Sequence, residues 1–280
     1  MLALICALFM MVSVFAGCTV VKDDTDEDKA KYVVLEDNFG DELYGIGFRN
    51  GEIALGLEIQ KHLDEMIADG TAKTISEKWF GKDSLLKDQP FIEESEASEG
   101  DNSLQKILDK GKLILGLDDS FPPMGFRDSD GVTKGFDIDL ATEVVKRMGV
   151  ELVLQPVNWN IKETELDAGK VDCLWNGMTI NPTRIGKMYF TKPYIENRQI
   201  IIVSDKSGIK KKSDLEGKKV GLQKGSSAVD AVKEDAIHDK LTLSEYADNV
   251  AAYNDLKIGR IDALVVDEVV GRYILSQDNK

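Results

Sequence analysis

Along residues 104–280, short apolar segments the length of one strand alternate with longer stretches of helical pattern. Leu113–Leu117, Glu151–Val157, Val171–Asn176, Gln199–Val203, Lys219–Leu222 and Ala263–Val266 are the strand-like segments. Ile138–Met148 is amphipathic with a helical period and is closed by Gly149. Strands alternating with helices predict α/β layers with largely parallel sheets. No solenoid period runs through the chain.

The first eighty residues supply more of the same pieces. Tyr32–Leu35 and Tyr44–Phe48 read as two strands, the second followed by the turn Asn50-Gly51. Over 52–68 the residues Ile59, Leu63, Met66 and Ile67 recur at helical spacing, and Gly70 stops that helix. Trp79 and Phe80 read as core residues of the next helix. Between the two blocks, 84–103 includes IEESEASEGDNS, almost without apolar residues, and reads as a flexible linker. Fully extended, it would span on the order of 60 Å, ample to join two chain ends on one lobe.

At 280 residues the chain can make one large domain or two modest ones. A net charge of -15 excludes a nucleic-acid surface, which needs clustered Lys and Arg to displace phosphate counterions. The opening MLALICALFMMVSVFAG is apolar, uncharged and short for a bilayer span, and small residues lead it into Cys18. Phe15-Ala16-Gly17-Cys18 resembles a bacterial lipobox, in which the Cys is acylated and becomes the mature N-terminus. No Lys or Arg precedes the run, so the true start is expected upstream of Met1; a transmembrane anchor is the alternative to a lipoprotein-type signal peptide over 1–17. On both readings the rest is held outside the cytoplasmic membrane by an acidic tether at 18–31. Loss of Cys6 and acylation of Cys18 leave only Cys173, in VDCLWNG, so no intramolecular disulfide is expected. Cys173 reads as a buried small hydrophobe. His62 and His238 do not suggest a metal site, and no nucleotide fingerprint is present, so no cofactor is expected.

Residues 44–81, YGIGFRNGEIALGLEIQKHLDEMIADGTAKTISEKWFG, are similar to the closing segment of the solute-binding proteins of polar-amino-acid ABC importers. Residues 104–205 and 206–280 are similar to that family's opening and middle. The resemblance implies a two-lobed, hinge-linked periplasmic-binding-protein fold of type II, circularly permuted. Mapped on the family, lobe 1 is about 43–190 with the linker at 84–103, and lobe 2 is 195–280 plus 32–35. The crossings fall near 36–43 and 190–196, and the family would continue past Lys280 into what stands here at 31–35. A truncated tandem gene is the other reading of this order. The two differ in whether 32–81 folds back onto its own chain.

A free amino acid brings a carboxylate, an ammonium and a side chain, and the resemblance assigns residues to each. For the carboxylate, in the motif that runs from Asn176 to Arg184, Gly177, Thr179 and Arg184 match the family's spacing, and Arg offers two parallel donors. Gln223, Gly225, Ser226 and Ser227 open a helix whose free N–H groups favour an anion, although Ser at such a start also serves as an N-cap. For the ammonium, Asp267 resembles the family's amine-binding acid, with Glu268 replacing it if the register shifts by one. The Thr179 hydroxyl and the Gly177 carbonyl are the other implied acceptors. Phe121 and Trp159 match the aromatic pair around the ligand side chain, while Met124 and Phe126 read as core. Asp118 matches an acid that receives a side-chain cation or an amide. The paired acids of GFDIDLA fit a helix start rather than acid–base catalysis.

The function this implies is extracytoplasmic binding of a polar or charged L-amino acid by a lipid-anchored monomer. That monomer would deliver its ligand to the transmembrane subunits of an ABC permease, without enzymatic activity and without nucleic acid. The alternatives are an amino-acid sensor without transport and a cyclic-acid dehydratase on the same fold.

Overall fold

An 18-residue strand, β1 (Tyr32–Arg49), lies at the middle of the sheet and pairs antiparallel with three others. The computed structural model describes residues 31–93 and 96–278; the apolar leader, Cys18 and the acidic tether lie outside the described residues. After β1 come α1 (Ile53–Asp69), α2 (Thr71–Phe80), α3 (Ser103–Lys110) and β2 (Lys112–Leu117). A small separate sheet of β3 (Ser120–Phe121), β4 (Gly125–Arg127) and β5 (Thr133–Lys134) precedes α4 (Phe136–Met148). Then follow β6 (Glu151–Pro156), α5 (Lys162–Asp167), β7 (Cys173–Ile180), β8 (Met188–Phe190) and β9 (Ile195–Ser204). The chain closes with β10 (Lys219–Gln223), α6 (Ser227–Glu234), β11 (Thr242–Tyr246), α7 (Asn249–Lys257), β12 (Ala263–Asp267) and α8 (Glu268–Asp278).

The large sheet runs β11-β10-β12-β9-β1-β7-β2-β6, with β8 also on β1. The antiparallel pair β1–β9 therefore joins two half-sheets. In one, β2 runs parallel to both β6 and β7; in the other, β10 runs parallel to both β11 and β12. The parallel pairing expected from the alternating pattern is thus confined to the halves, and the join is antiparallel.

The two strands expected at 32–35 and 44–48 are one. Polar residues between them do not end it, because a strand needs only backbone partners, and β9 supplies these along its length. Register irregularities between Val34, Asn38 and Asp41 mark the polar stretch and bend the pair there. The strand β11, TLSEY, went unread because its composition is too polar to signal a strand, yet it pairs along its whole length with β10.

Residues before and after the acidic tract share one core. Tyr44, Ile46, Phe48, Leu55, Ile59, Leu63 and Met66 are packed with Leu113, Leu115, Phe136, Leu140 and Val144. The helices end at Gly70 and Gly149 as their spacing predicts. Trp79 and Phe80 are half-buried rather than central: the indole Nε1 donates to Asp139 at 2.7 Å, and the Phe80 ring lies 4.9 Å from that of Phe136. Met124 is fully buried, while Phe126 is half-buried against Trp79 and Tyr273.

The tract expected to be a flexible linker is tied down at both ends. Leu86 N donates to the Tyr194 carbonyl at 2.9 Å, the Phe91 ring stacks on Tyr189 at 6.4 Å, and Asp101 accepts from Ala54 N at 2.6 Å. Leu85, Leu86 and Phe91 anchor its first end, while Ile92 is exposed and Asp101 holds the second end. Cys173 is fully buried in β7, and burial pushes its thiol pKa far up, as expected of a small hydrophobe rather than a nucleophile.

Candidate functional site

The residues singled out from the sequence converge on the seam between the two half-sheets. Strand β7 brings Asn176, Gly177 and Thr179 to its end, and the tight turn after it returns Arg184 beneath Thr179. Arg184 is 6% exposed; its Nη1 donates to the Thr179 carbonyl at 2.8 Å, and Glu163 stands 3.7 Å from its Nε. Burial lowers its pKa, opposed mainly by Glu163 and Glu42. The guanidinium is thus a buried cation with no bidentate carboxylate partner among the described residues.

Gly177 needs to be glycine. Its φ is +57°, and a Cβ there would lie 2.7 Å from the Phe121 ring and 3.0 Å from that of Tyr44. The close approach packs Phe121 onto the strand. The Gly177 N–H donates to Asp137 at 2.8 Å, and Asp137 also accepts from the Tyr194 hydroxyl at 2.8 Å. Burial drives the Asp137 pKa up to about 7. The acid at the start of α4 therefore braces the site strand, which agrees with its reading as a helix-start residue.

Contacts across the seam are direct. Gln223 Nε2 donates to Asp118 at 2.6 Å, and Asp118, whose pKa burial raises, also accepts from Ser120 N at 2.9 Å. Thr179 Oγ1 and Ser227 Oγ lie 3.1 Å apart. Gly225, at φ +72°, presses its Cα against the Trp159-Asn160 backbone, where a Cβ would come within 2.6 Å of Asn160 Cα. Ser226 turns its hydroxyl back to the Gln223 carbonyl at 2.8 Å instead of capping α6. Asn176 accepts from Asp118 N at 3.1 Å through Oδ1, and its Nδ2 is buried without a partner among the described residues.

Of the two acids offered by the sequence, the structure places Asp267 in the seam. It accepts from Tyr44 OH at 2.6 Å, Asn197 Nδ2 at 2.7 Å and Gln199 Nε2 at 3.0 Å. Glu268 instead pairs with Arg198 at 2.7 and 2.9 Å and with Arg272 at 2.6 Å. Gln199 Nε2 also reaches Ser227 Oγ at 3.2 Å, so a polar chain Thr179–Ser227–Gln199–Asp267 connects the carboxylate and ammonium candidates.

Sequence reasoning missed Glu42, Tyr44, Asn197, Gln199 and Lys162. The first four were legible as pairs two apart on strands, Glu42/Tyr44 and Asn197/Gln199, hence on one face of each central strand. Lys162 gave no signal: KETELD reads as a solvated helix, yet Lys162 is 1% exposed and donates to the Gly225 carbonyl at 2.9 Å. Burial, then Arg184, lowers its pKa to about 8. Two open spaces flank the seam. A cavity of about 390 Å³ is bordered by Glu42, Thr179, Ser227 and Asp230, and a groove of about 1360 Å³ by Asn197, Trp79, Arg198 and Tyr273. Among the predicted site residues, Thr179 and Ser227 border the cavity, and the alternative acid Glu268 borders the groove; the others are packed in the seam itself.

Comparison with known proteins agrees with this architecture. The family model described as bacterial extracellular solute-binding proteins, family 3, matches residues 113–257. The L-cystine-binding protein TcyJ of Escherichia coli (strain K12) is 33% identical over 178 residues, which is 63% of this chain and 66% of that protein. The arginine-binding extracellular protein ArtP of Bacillus subtilis (strain 168) is 30% identical over 177 residues, 61% of this chain and 67% of that one. The chain thus spans about two thirds of the length of these relatives. A solved ABC uptake transporter substrate-binding protein from Streptococcus pneumoniae with bound histidine superposes with a TM-score of 0.63 at 35% identity. That superposition covers 65% of this chain and 76% of the other. The fold is the mixed α/β, two-lobed periplasmic-binding-protein fold of these neighbours, and the chain belongs to the bacterial extracellular solute-binding proteins of family 3.

Proposed function

We propose that this chain binds a free polar or charged L-amino acid outside the cytoplasmic membrane and delivers it to an ABC permease. One observation carries the reading: a buried guanidinium, Arg184, and a buried carboxylate, Asp267, are joined by the chain Thr179–Ser227–Gln199 at the seam between lobes. Among the described residues Arg184 meets a carboxylate only at 3.7 Å, from Glu163, and Asp267 has no cation in contact; a zwitterion offers both opposites. Separating the lobes about β1 and β9 would open the seam, and closing on the ligand would strengthen both contacts by excluding water. Relatives named for cystine and arginine, and a structural neighbour holding histidine, support the ligand class.

The finer assignments are part of the same proposal. Asp118, Phe121 and Trp159 would surround the ligand side chain; Asn176, Gly177, Gln223, Ser226 and Ser227 would line the carboxylate end. Lobe 1 would comprise about 43–190, and lobe 2 would comprise 195–280 plus 32–35. Cys18 would carry the lipid anchor of a monomer. The shared core of 44–66 with 113–144 supports a permuted chain that closes on itself. A binder is favoured over an enzyme by the family. One structural neighbour, 34% identical with a TM-score of 0.60, is an ancestral amino-acid-binding protein that is a precursor of cyclohexadienyl dehydratase.

The test is a thermal-shift screen of the full chain in mild detergent against the common amino acids, repeated with Arg184→Ala. A ligand that binds only the folded state raises the melting temperature. A dose-dependent shift with one amino acid, lost in Arg184→Ala, is the expected result. Wild-type affinity in that variant sinks the site assignment; a cooperative melt that no amino acid shifts sinks the ligand class.

A further inference from the structure

Asp267 has an acidic neighbour in the seam. Glu42, on β1, accepts from Thr179 Oγ1 at 3.1 Å, Asn197 Nδ2 at 2.9 Å and Gln199 Nε2 at 2.9 Å. The same two amide nitrogens donate to Asp267 at 2.7 and 3.0 Å. Two carboxylates from opposite ends of the chain thus share their donors. Turning either amide over would set its oxygen against both acids, so the carboxylates fix the amide orientation.

The amides consequently leave only acceptors over. Asn197 is 5% exposed and Gln199 fully buried, yet neither Asn197 Oδ1 nor Gln199 Oε1 has a hydrogen-bond partner among the described residues. The charges around the pair do not offset it. Tyr44 lies two residues along β1, Asp41 is adjacent to Glu42, and Asp230 on α6 borders the same cavity as Glu42. Arg184, the cation whose field reaches both acids, directs its donors to the Thr179 and Gly225 carbonyls. Glu268 is paired with Arg198 and Arg272. Burial first, then repulsion from Glu42, pushes the Asp267 pKa up to about 7.

A primary ammonium has three N–H donors and no acceptor, and it supplies what this cluster lacks. We propose that Glu42 is a second carboxylate of the ammonium subsite, so that the site selects ligands with a free primary amine shared between Glu42 and Asp267. The inference rests on the reading of Asp267 as the ammonium acceptor. It predicts that Glu42 costs the unliganded protein stability while strengthening its hold on ligand.

That pair of opposite signs is the test. Full-length wild type, Glu42→Gln and Glu42→Asp are titrated calorimetrically with L-arginine, L-histidine, L-cystine and L-glutamine, and each unliganded protein is melted. Glu42→Gln is expected to weaken whichever of these binds by about tenfold or more, with Glu42→Asp restoring most of the loss. The unliganded melting temperature of Glu42→Gln should equal or exceed that of wild type, because repulsion with Asp267 is gone. Unchanged affinity in Glu42→Gln overturns the proposal. So does an affinity loss accompanied by a lower unliganded melting temperature, which marks Glu42 as a support of the central strands. If wild type binds none of the four, the amino-acid reading fails and this inference falls with it; if wild type binds and Glu42→Gln binds equally, only Glu42 loses its role.

Discussion

The Tyr44 hydroxyl donates to Asp267 across 2.6 Å, joining residues 223 positions apart in the chain. Tyr44 sits where β1 pairs with both β7 and β9, so the bond ties the end of β12 to the strand at the middle of the sheet. An acid proposed to hold a ligand's amine is therefore oriented by a phenol from the amino-terminal segment.

Tyr44→Phe removes that donor while keeping the ring against Gly177. A hydrogen bond to a charged group is worth about 1.5–3 kcal/mol, and here the charged form is the one that needs it. Urea unfolding at pH 8, where Asp267 is ionised, is expected to show a loss near that size. At pH 5, where Asp267 is protonated, the loss should be smaller. Equal losses at both values would show that the phenol does not serve the carboxylate.

Gly177→Ala places a methyl where no space exists, at a φ of +57° and within 2.7 Å of the Phe121 ring. The left-handed backbone alone costs about 1–2 kcal/mol for an L-residue, and overpacking adds about 1–3 kcal/mol. Denaturant titration should show a loss of several kcal/mol in total. In a Phe121→Ala background the same Gly177→Ala change should cost less than it does in wild type. An equal cost in both backgrounds would place the strain in the backbone alone.

Asp137 and Asp267 both titrate near 7 because burial penalises their charged forms, Glu42 adding to the effect at Asp267. In the unfolded chain each returns to the ordinary carboxylate range near 4, so between about 4 and 7 the native state binds more protons. Their contribution to stability is complete below that window and is lost as pH rises through it. Surface acids act oppositely: hydrogen bonds from Thr71, then from Arg147, hold Asp69 at about 2, and its contribution is lost only in strong acid. The melting temperature should therefore fall from pH 5.5 to pH 8, and Asp137→Asn should flatten that slope. A melting temperature that climbs steadily over the same range would contradict both assignments.

Much of this was legible in the sequence for a definite reason. Strands such as Leu113–Leu117 and Ala263–Val266 are buried on both faces, and continuous apolar runs report that directly. Arg184, Thr179 and Asp267 were found because their spacing matches a family. Glu42 and Asn197 were not, because polar residues in central strands look like strand breaks when the partner strand is unknown, and Gln199 was legible only as the first residue of a strand. Lys162 escaped for the opposite reason, being a buried lysine inside a segment of surface composition. The linker was misread because three apolar residues at one end and one acid, Asp101, at the other sufficed to pin it, and composition averages them away.

The amino-terminal segment is integral to the fold, and this can be tested by moving it. β1 lies between β9 and β7, so its removal would expose two strand edges. It would also strip Tyr44, Ile46, Phe48, Leu55, Ile59, Leu63 and Met66 from the core. At about 1.5–3 kcal/mol per buried side chain, the loss is about 10–20 kcal/mol, as large as or larger than the roughly 5–15 kcal/mol by which domains are stable. Residues 96–278 alone should therefore not melt cooperatively. Restoring 31–93 at the other end should rescue them, because the points to be joined are neighbours. The Tyr32 ring packs edge-on against Tyr253 at 5.5 Å, and the Tyr253 hydroxyl donates to Asp278. A chain reordered as 96–278, a short Gly/Ser loop and 31–93 is expected to melt within a few degrees of the original and to bind the same amino acid. A reordered chain that fails to fold would show that the family's order is not interchangeable with this one, and would remove the case for permutation.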